Sequence, residues 1–490
     1  MRQLNSEADT QLNSDGEPER PPNCSTVQLS GSSVPRTFLR TLASNLHWLF
    51  LLFAIPQVIF LALCTPPFQT ADENAHFDRA WQVAHLQLSP HYGGFVDTGI
   101  IHLWDSVSGI GFHPEARYTS AEQSAAGSAQ WTGQSGWRDF PNTGTCAFTG
   151  YLPQALGIFI GRAIGLGPLR TLQFARLVNG AFSIFICTLA LRWCRRGRLV
   201  VFAALLMPMT LSLFASCGQD ATLIALACAA FAVVSRRLEE GKPLSRVQLA
   251  AVCFSLLVVA LGRPPYVALF LLLLVPGLIK RWPRGPSWLP GLSAALLLFA
   301  ATAAWWSVAM HVTRAVARPI AGIGVVDARM QLINLAHHPA ISGDLLLYCL
   351  HHLNEYIAGA IGYLGWLDTT MPPLYYLAML MVLIAAALAE MSSGPAIAKS
   401  ATTLSLAAAA AGVAAVFMVE YLIWTPVGAH GIYGVQGRYF IPLIVAVSIG
   451  LPRLSHSPRT RELVTAAVVA AQLITVIVLP RVLLARYYGG

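Results

Sequence analysis

One stretch carries residues able to move protons and hold charge. It runs Thr65-Pro66-Pro67-Phe68-Gln69-Thr70-Ala71-Asp72-Glu73-Asn74-Ala75-His76-Phe77-Asp78-Arg79, directly after the first long apolar run. Two adjacent carboxylates, Asp72 and Glu73, precede His76 and Arg79 by one to two helical turns. Pro66-Pro67 blocks continuation of the preceding helix. Thr70 with Glu73 three residues later has the form of a capping box, so a new helix is expected from there. Phe77, Trp81, Ala84 and Leu88 then make one apolar stripe, with Asp72, His76 and Arg79 opposite. The expectation is a helix lying on a membrane surface and presenting acid, imidazole and guanidinium to water. Glu73 has a plain alternative as a cap partner. A carboxylate in a first helical turn gains only about 0.3–1 kcal/mol from the macrodipole, which does not account for the whole constellation.

Five shorter stretches put polar groups at the ends of other apolar runs. They are Tyr151-Leu152-Pro153, Ser216-Cys217-Gly218-Gln219-Asp220, Gly262-Arg263-Pro264-Pro265-Tyr266, Gly362-Tyr363-Leu364-Gly365-Trp366-Leu367-Asp368-Thr369 and Gly434-Val435-Gln436-Gly437-Arg438-Tyr439-Phe440. Ionisable groups at membrane depth are costly and default to functional candidates. Taken singly, Asp220 reads as a helix cap, Arg263 and Arg438 as snorkelling side chains, and Trp366 and Tyr439 as interface aromatics. The convergence of carboxylates and arginines on one face is harder to explain that way. The pairs His337-His338 and His351-His352 lack an accompanying acid or cysteine spacing, so they read as surface decoration and not as metal ligands.

The elements that must position these groups are membrane helices. Of 490 residues, 55% are hydrophobic and 11% charged, against about 25% charged in soluble domains. The fold class expected is an all-α polytopic membrane protein, a single bundle over 45–490. Eleven apolar runs fall near 46–65, 171–194, 199–216, 219–235, 246–262, 265–279, 288–312, 373–391, 402–424, 438–452 and 463–484. Residues 1–44 are polar and read as a disordered tail. The net charge of +9 sits in short loops, which argues against a nucleic-acid partner, and the nine cysteines show neither paired nor metal spacing.

A further apolar piece, 151–168, is assigned by charge. If it does not cross, the tail, all three lysines (Lys242, Lys280, Lys399) and the clusters at Arg192/Arg195/Arg196/Arg198, Arg236/Arg237/Lys242/Arg246, Lys280/Arg281/Arg284 and Arg453/Arg459/Arg461 share one side. The positive-inside rule makes that side cytoplasmic and 151–168 interfacial or re-entrant. Two long segments, 66–150 and 313–372, then lie outside, each expected to carry a surface helix; Thr119–Gly136 reads as a loop, and His337–Tyr356 as an amphipathic helix.

These motifs resemble a bacterial membrane-protein family known as domain of unknown function 2142. Asp72-Glu73…His76…Arg79 resembles its D-E-x-x-H-x-x-R signature, Pro208-Met209 with Ser216 and Asp220 its P-M…S…D motif, and Gly365–Thr369 and Gly434–Tyr439 its G-W-L-D-T and G-x-Q-G-R-Y motifs. The resemblance covers about 45–485. Two positions depart from it: Arg263 stands where the family has lysine, and Ala71 where it has proline. That family in turn resembles the GT-C glycosyltransferases, multi-span enzymes with an acidic pair in the first outer loop and polyprenyl-phosphate sugars as donors.

The resemblance implies an inverting transfer of a sugar from a polyprenyl-phosphate donor to an envelope glycan, lipid or protein acceptor, on the outer face of a bacterial inner (cytoplasmic) membrane. Such chemistry needs a base for the acceptor hydroxyl and positive charge for the departing phosphate. Asp72 is the expected base, with Glu73 beside it. Arg438 is the expected phosphate group, with Arg263 and Arg79 as alternatives. His76, Tyr151, Asp220, Tyr266, Asp368, Gln436 and Tyr439 are the remaining substrate-binding candidates. No cofactor is required, although two adjacent acids could hold a divalent ion, Mg or Mn. A lipid-linked glycan flippase or transporter, or a non-catalytic component of polysaccharide assembly, is the alternative; a transporter would show broken helices or deep charges.

Overall fold

The computed structural model describes residues 36–281, 285–314, 318–320, 324–391, 398–452 and 458–489. The tail up to residue 35, with Arg284 and Arg453 of the basic clusters, lies outside the described residues. The chain is a helical bundle, and among the described residues seven helices are long and apolar enough to cross a membrane: Leu46–Cys64, Pro168–Trp193, Asp220–Glu240, Leu289–Val312, Pro373–Met391, Lys399–Ile423 and Arg461–Tyr487. Arg246–Gly262, Pro264–Leu274 and Gly437–Gly450 are shorter apolar helices. The expected run at 199–216 is broken. Arg198–Leu205 and Pro208–Phe214 are separate helices, because Pro208 cannot donate to the turn before it and starts a new helix instead.

Several local expectations are corrected. Residues 36–44 are not tail but a helix, Arg36–Ser44, tied to the last helix where Arg40 Nε meets Glu462 Oε1 at 3.0 Å. The stretch Thr119–Gly136 is not simply a loop. Ser120–Ser128 is helical, because Thr119 accepts from the Glu122 N–H while Glu122 accepts from the Thr119 N–H. The proposed helix over 337–356 is three: Ala328–His337, Ile341–His351 and Leu353–Gly362. Among the described residues three antiparallel ribbons decorate the helical fold, including Gly93–Asp97 with Ser135–Asp139.

That ribbon changes the setting of the helix after Pro66-Pro67. The helix is Glu73–Ala84, and it is buried on every side, not laid on a surface. Its polar face is covered by residues 93–143: Thr143 Oγ1 donates to the Ala75 carbonyl at 2.7 Å, Gln82 Nε2 to the Gly93 carbonyl at 3.2 Å, and Arg138 Nε to Asp78 Oδ2 at 2.7 Å. Burial pushes the Asp78 carboxyl up to about 6, with Arg138 opposing. The piece at 151–168 resolves into a 12-residue helix, Leu152–Ala163. At about 18 Å this helix by itself is shorter than about 30 Å of hydrocarbon.

Charged residues are sorted to the two ends of the bundle. One end gathers Arg196, which donates to the Ile449 and Leu451 carbonyls, Arg198, which donates to the Ala43 and Ser44 carbonyls, and Glu390, which accepts from the Gly197 and Leu199 N–H groups. The other end gathers the Asp72 stretch and its partners.

Candidate functional site

Four charged side chains from four separated stretches meet at that second end. Asp220 opens its helix, Arg263 closes Arg246–Gly262, Arg438 lies in the 3-10 turn Gly437–Phe440, and Asp72 precedes Glu73–Ala84. Arg263 holds Asp220 with two bonds, Nε to Oδ1 at 2.8 Å and Nη2 to Oδ2 at 3.0 Å. Arg438 Nη2 donates to Asp72 Oδ2 at 2.8 Å and Nη1 to the Ala71 carbonyl at 3.2 Å. Its Nε stands 3.5 Å from Asp220 Oδ2, which joins the two pairs into one network. The Tyr439 ring lies 4.0 Å from the Arg263 guanidinium and 5.6 Å from that of Arg438, and Tyr266 fixes the turn by donating to the Tyr439 carbonyl at 2.9 Å.

Backbone geometry aims the network. Asp72 has φ +62°, in the left-handed region, and its side chain makes no cap bond. The capping box expected from Thr70 is therefore absent, and the Asp72 carboxylate turns to Arg438 instead of the helix N-terminus. Such a backbone at a non-glycine residue is costly and persists where its surroundings enforce it, commonly at functional sites. The Asp72 side chain keeps 31% of its surface exposed while that of Arg438 keeps 3%. Asp72 is thus the accessible acid and Arg438 its buried partner.

Gly437 permits this placement. A Cβ there would lie 2.1 Å from the Ala360 nitrogen and 2.4 Å from the Tyr356 carbonyl oxygen. The backbone of Leu353–Gly362 crosses directly over the turn, and only glycine fits. Gly437→Ala is therefore expected to displace Arg438 and lower the thermal stability of the purified protein by several degrees. An unchanged melting curve would show that the crossing is looser than described.

His76 sits beneath the network, its Nδ1 sharing a 2.7 Å hydrogen bond with the Tyr151 hydroxyl. Loss of solvation pulls its pKa down to about 4 despite the opposing charges of Asp220 and Asp72, so the ring is neutral at pH 7. Gln436 lies two residues before Arg438, with a buried Oε1 that accepts no bond.

Three expected site residues are elsewhere. Glu73 is fully buried and faces away from Asp72: both its oxygens bind Arg176, with Nε to Oε1 at 2.8 Å, and Oε1 also accepts from the Cys217 N–H at 3.0 Å. The acidic pair therefore presents no shared face to a divalent ion, and no group of three potential ligands gathers among the described residues. Arg79 is consumed by structure, its guanidinium donating to Gln82 Oε1 and to the carbonyls of Cys146, Gln87 and Leu88. Asp368 pairs with Arg486 at 3.0 Å because its turn faces the last helix. It reaches the site only indirectly, since the neighbouring Trp366 Nε1 donates to the Phe68 carbonyl at 3.0 Å.

Sequence reading missed Asn142, whose Nδ2 lies 3.4 Å from Asp72 Oδ1, and two buried ionisable residues within long apolar helices, Arg176 and Glu420. The rule that flags intramembrane charge would have found the last two.

The family described as "Predicted membrane protein (DUF2142)" matches residues 55–447. No curated protein and no solved structure matches the chain.

Proposed function

The chain belongs to the DUF2142 family of predicted membrane proteins, and we propose that it is a GT-C-like glycosyltransferase that moves a sugar from a polyprenyl phosphate to an envelope glycan, lipid or protein acceptor. The observation that carries the reading is the Asp72–Arg438 pair: an accessible carboxylate in a left-handed backbone, held by a buried guanidinium that a second acid also faces. Asp72 accepts the proton of the acceptor hydroxyl as that oxygen bonds to the anomeric carbon. The bond from anomeric carbon to phosphate oxygen breaks, and the electron pair leaves on the phosphate. Arg438, freed from Asp72 as the carboxylate is protonated, is placed to take up that charge, with Arg263 behind it.

The reading includes eleven spans, with the N-terminus cytoplasmic and the site on the outer face of the inner membrane. Contacts at both ends of the shorter passages support it. The broken passage begins beside Ser44 and ends where the Cys217 N–H meets Glu73. The passage after Arg263 starts at Asp220 and reaches Leu278, whose carbonyl accepts from the Leu244 N–H. The passage after Arg438 ends at Ile449, bonded to Arg196. With Leu152–Ala163 read as interfacial, every basic cluster falls opposite the site. Single cysteines at the exposed positions Arg195 and Lys242 should resist an impermeant thiol reagent on intact cells, whereas one at Glu115 should react. Outside labelling at 195 and 242 would reverse the topology.

The test of activity is transfer of radiolabelled hexose from its polyprenyl phosphate to membrane acceptor by the purified full-length chain. The broken helix at 198–214 is the feature that favours the transporter alternative. That alternative gains if proteoliposomes move the intact sugar-lipid between leaflets and transfer nothing.

A further inference from the structure

The two oxygens of Asp72 are held differently. Oδ2 accepts from Arg438 Nη2 at 2.8 Å, and that arginine side chain is buried. A charge-assisted bond therefore fills this oxygen from the buried side. Oδ1 has one hydrogen-bond partner among the described residues, Asn142 Nδ2 at 3.4 Å. Asn142 is exposed, and no group among the described residues donates to its side-chain carbonyl.

The backbone under Asn142 is fixed on every side. Within its turn, Pro141–Gly144, Thr143 Oγ1 donates to the Ala75 carbonyl at 2.7 Å and the Gly144 N–H to the Phe140 carbonyl at 2.7 Å. Thr145 Oγ1 donates back to the Pro141 carbonyl at 3.1 Å, and the His91 N–H to the Gly144 carbonyl at 2.9 Å. A Cβ on Gly144 would lie 2.4 Å from the His91 carbonyl oxygen. The strand before the turn is pinned by Arg138 to Asp78. A rigid mount thus carries an exposed amide to the open side of a carboxylate. As a brace for Asp72 the amide is poor, since the contact is long and lies at the surface, where water replaces it at little cost.

We propose that Asn142 binds the acceptor, taking the hydroxyl next to the one that reacts at Asp72 Oδ1, so that the acceptor is a sugar with adjacent hydroxyls. This rests on the glycosyltransferase reading and adds the acceptor's class and the oxygen that takes the proton. The reacting hydroxyl bonds through its oxygen to the anomeric carbon and gives its proton to Oδ1, because Oδ2 is already filled by Arg438. The electron pair of the broken bond leaves on the phosphate. The amide of Asn142 supplies both a donor and an acceptor, which matches a hydroxyl, itself both. A serine or threonine side chain brings a single hydroxyl, and Asp72 uses it.

The experiment separates acceptor from donor. Purified full-length protein is given undecaprenyl phosphate carrying radiolabelled glucose, galactose or mannose, and the acceptor fraction of membranes from cells that lack the protein. Donor and acceptor are varied in turn. Asn142→Ala should raise the half-saturating acceptor concentration roughly threefold to tenfold, the loss of one hydrogen bond, and leave that of the donor unchanged. Asn142→Gln, which keeps the amide, should recover part of the loss. Thermal melting should match wild type, because the side chain is exposed. Periodate cleaves adjacent hydroxyl pairs, so treating the acceptor with it should remove the advantage of wild type over Asn142→Ala. Equal acceptor dependence in wild type and Asn142→Ala overturns the inference. So does a matched rise for donor and acceptor, which marks a structural role. An advantage that survives periodate overturns the sugar assignment. Each of these leaves the proposed function standing, whereas wild type that transfers nothing from any donor overturns both.

Discussion

Asp72→Asn should fold, reach the membrane and lose about 10²–10⁴-fold in sugar transfer, the range associated with removing a general base. The substitution is clean for structural reasons. Asparagine tolerates the left-handed backbone that residue 72 adopts at φ +62°, whereas alanine would add strain. Arg438 would not be stranded, because Asp220 Oδ2 remains 3.5 Å from its Nε. The amide keeps an oxygen for Arg438 but cannot take a proton at neutral pH. Arg438→Lys is the companion. One ammonium cannot reach both the Ala71 carbonyl and Asp72 with the planar fork of a guanidinium, so transfer should fall while charge is kept. Transfer assays on purified variants, normalised to folded protein, read both effects. Normal turnover in Asp72→Asn would remove the mechanism. Glycan assembly that requires the protein but tolerates Asp72→Asn and Arg438→Ala would favour a non-catalytic role.

The parts of this site that were legible in the sequence share one property: each charged group stands where an apolar run ends. Asp72, Asp220, Arg263 and Arg438 are all of this kind, and the apolar runs themselves dictated that these ends come together. Charged residues within the runs were legible as candidates but not as pairs. Arg176 and Glu420 each stand alone between apolar turns of a long helix, and a lone charge has no sequence pattern that names its partner. The polar face of Glu73–Ala84 was misread for a related reason. Periodicity shows that a face is polar but not whether water or protein covers it. Here the ribbon and the turn at 141–144 cover it, so Arg79 serves backbone carbonyls and not a ligand.

Glu73→Ala should be the most destabilising single substitution in this region, at about 3–5 kcal/mol, the cost of breaking a buried ion pair from one side. Glu73 and Arg176 keep 0% and 1% of their side-chain surface. Beyond Glu73, Arg176 donates to the carbonyls of Ala62, Thr65 and Pro66, so it ties the end of the first long helix to the bend that launches Asp72. Glu73→Gln is a severe change here, although a glutamine would have served well in a capping box. The amide has one acceptor oxygen for the three donors that now meet the carboxylate, from Arg176 Nε, Arg176 Nη2 and the Cys217 N–H. It also leaves the guanidinium charge unopposed. Protein level in the membrane and melting temperature after extraction measure the loss. The double variant Glu73→Leu/Arg176→Met tests the cause, since replacing both partners with apolar groups removes the stranded charge. It should be more stable than either Glu73→Leu or Arg176→Met alone. Equal stability of Glu73→Gln and wild type, or strict additivity in the double variant, would mean that the pair does not hold the bend, and the placement of Asp72 would then need another explanation.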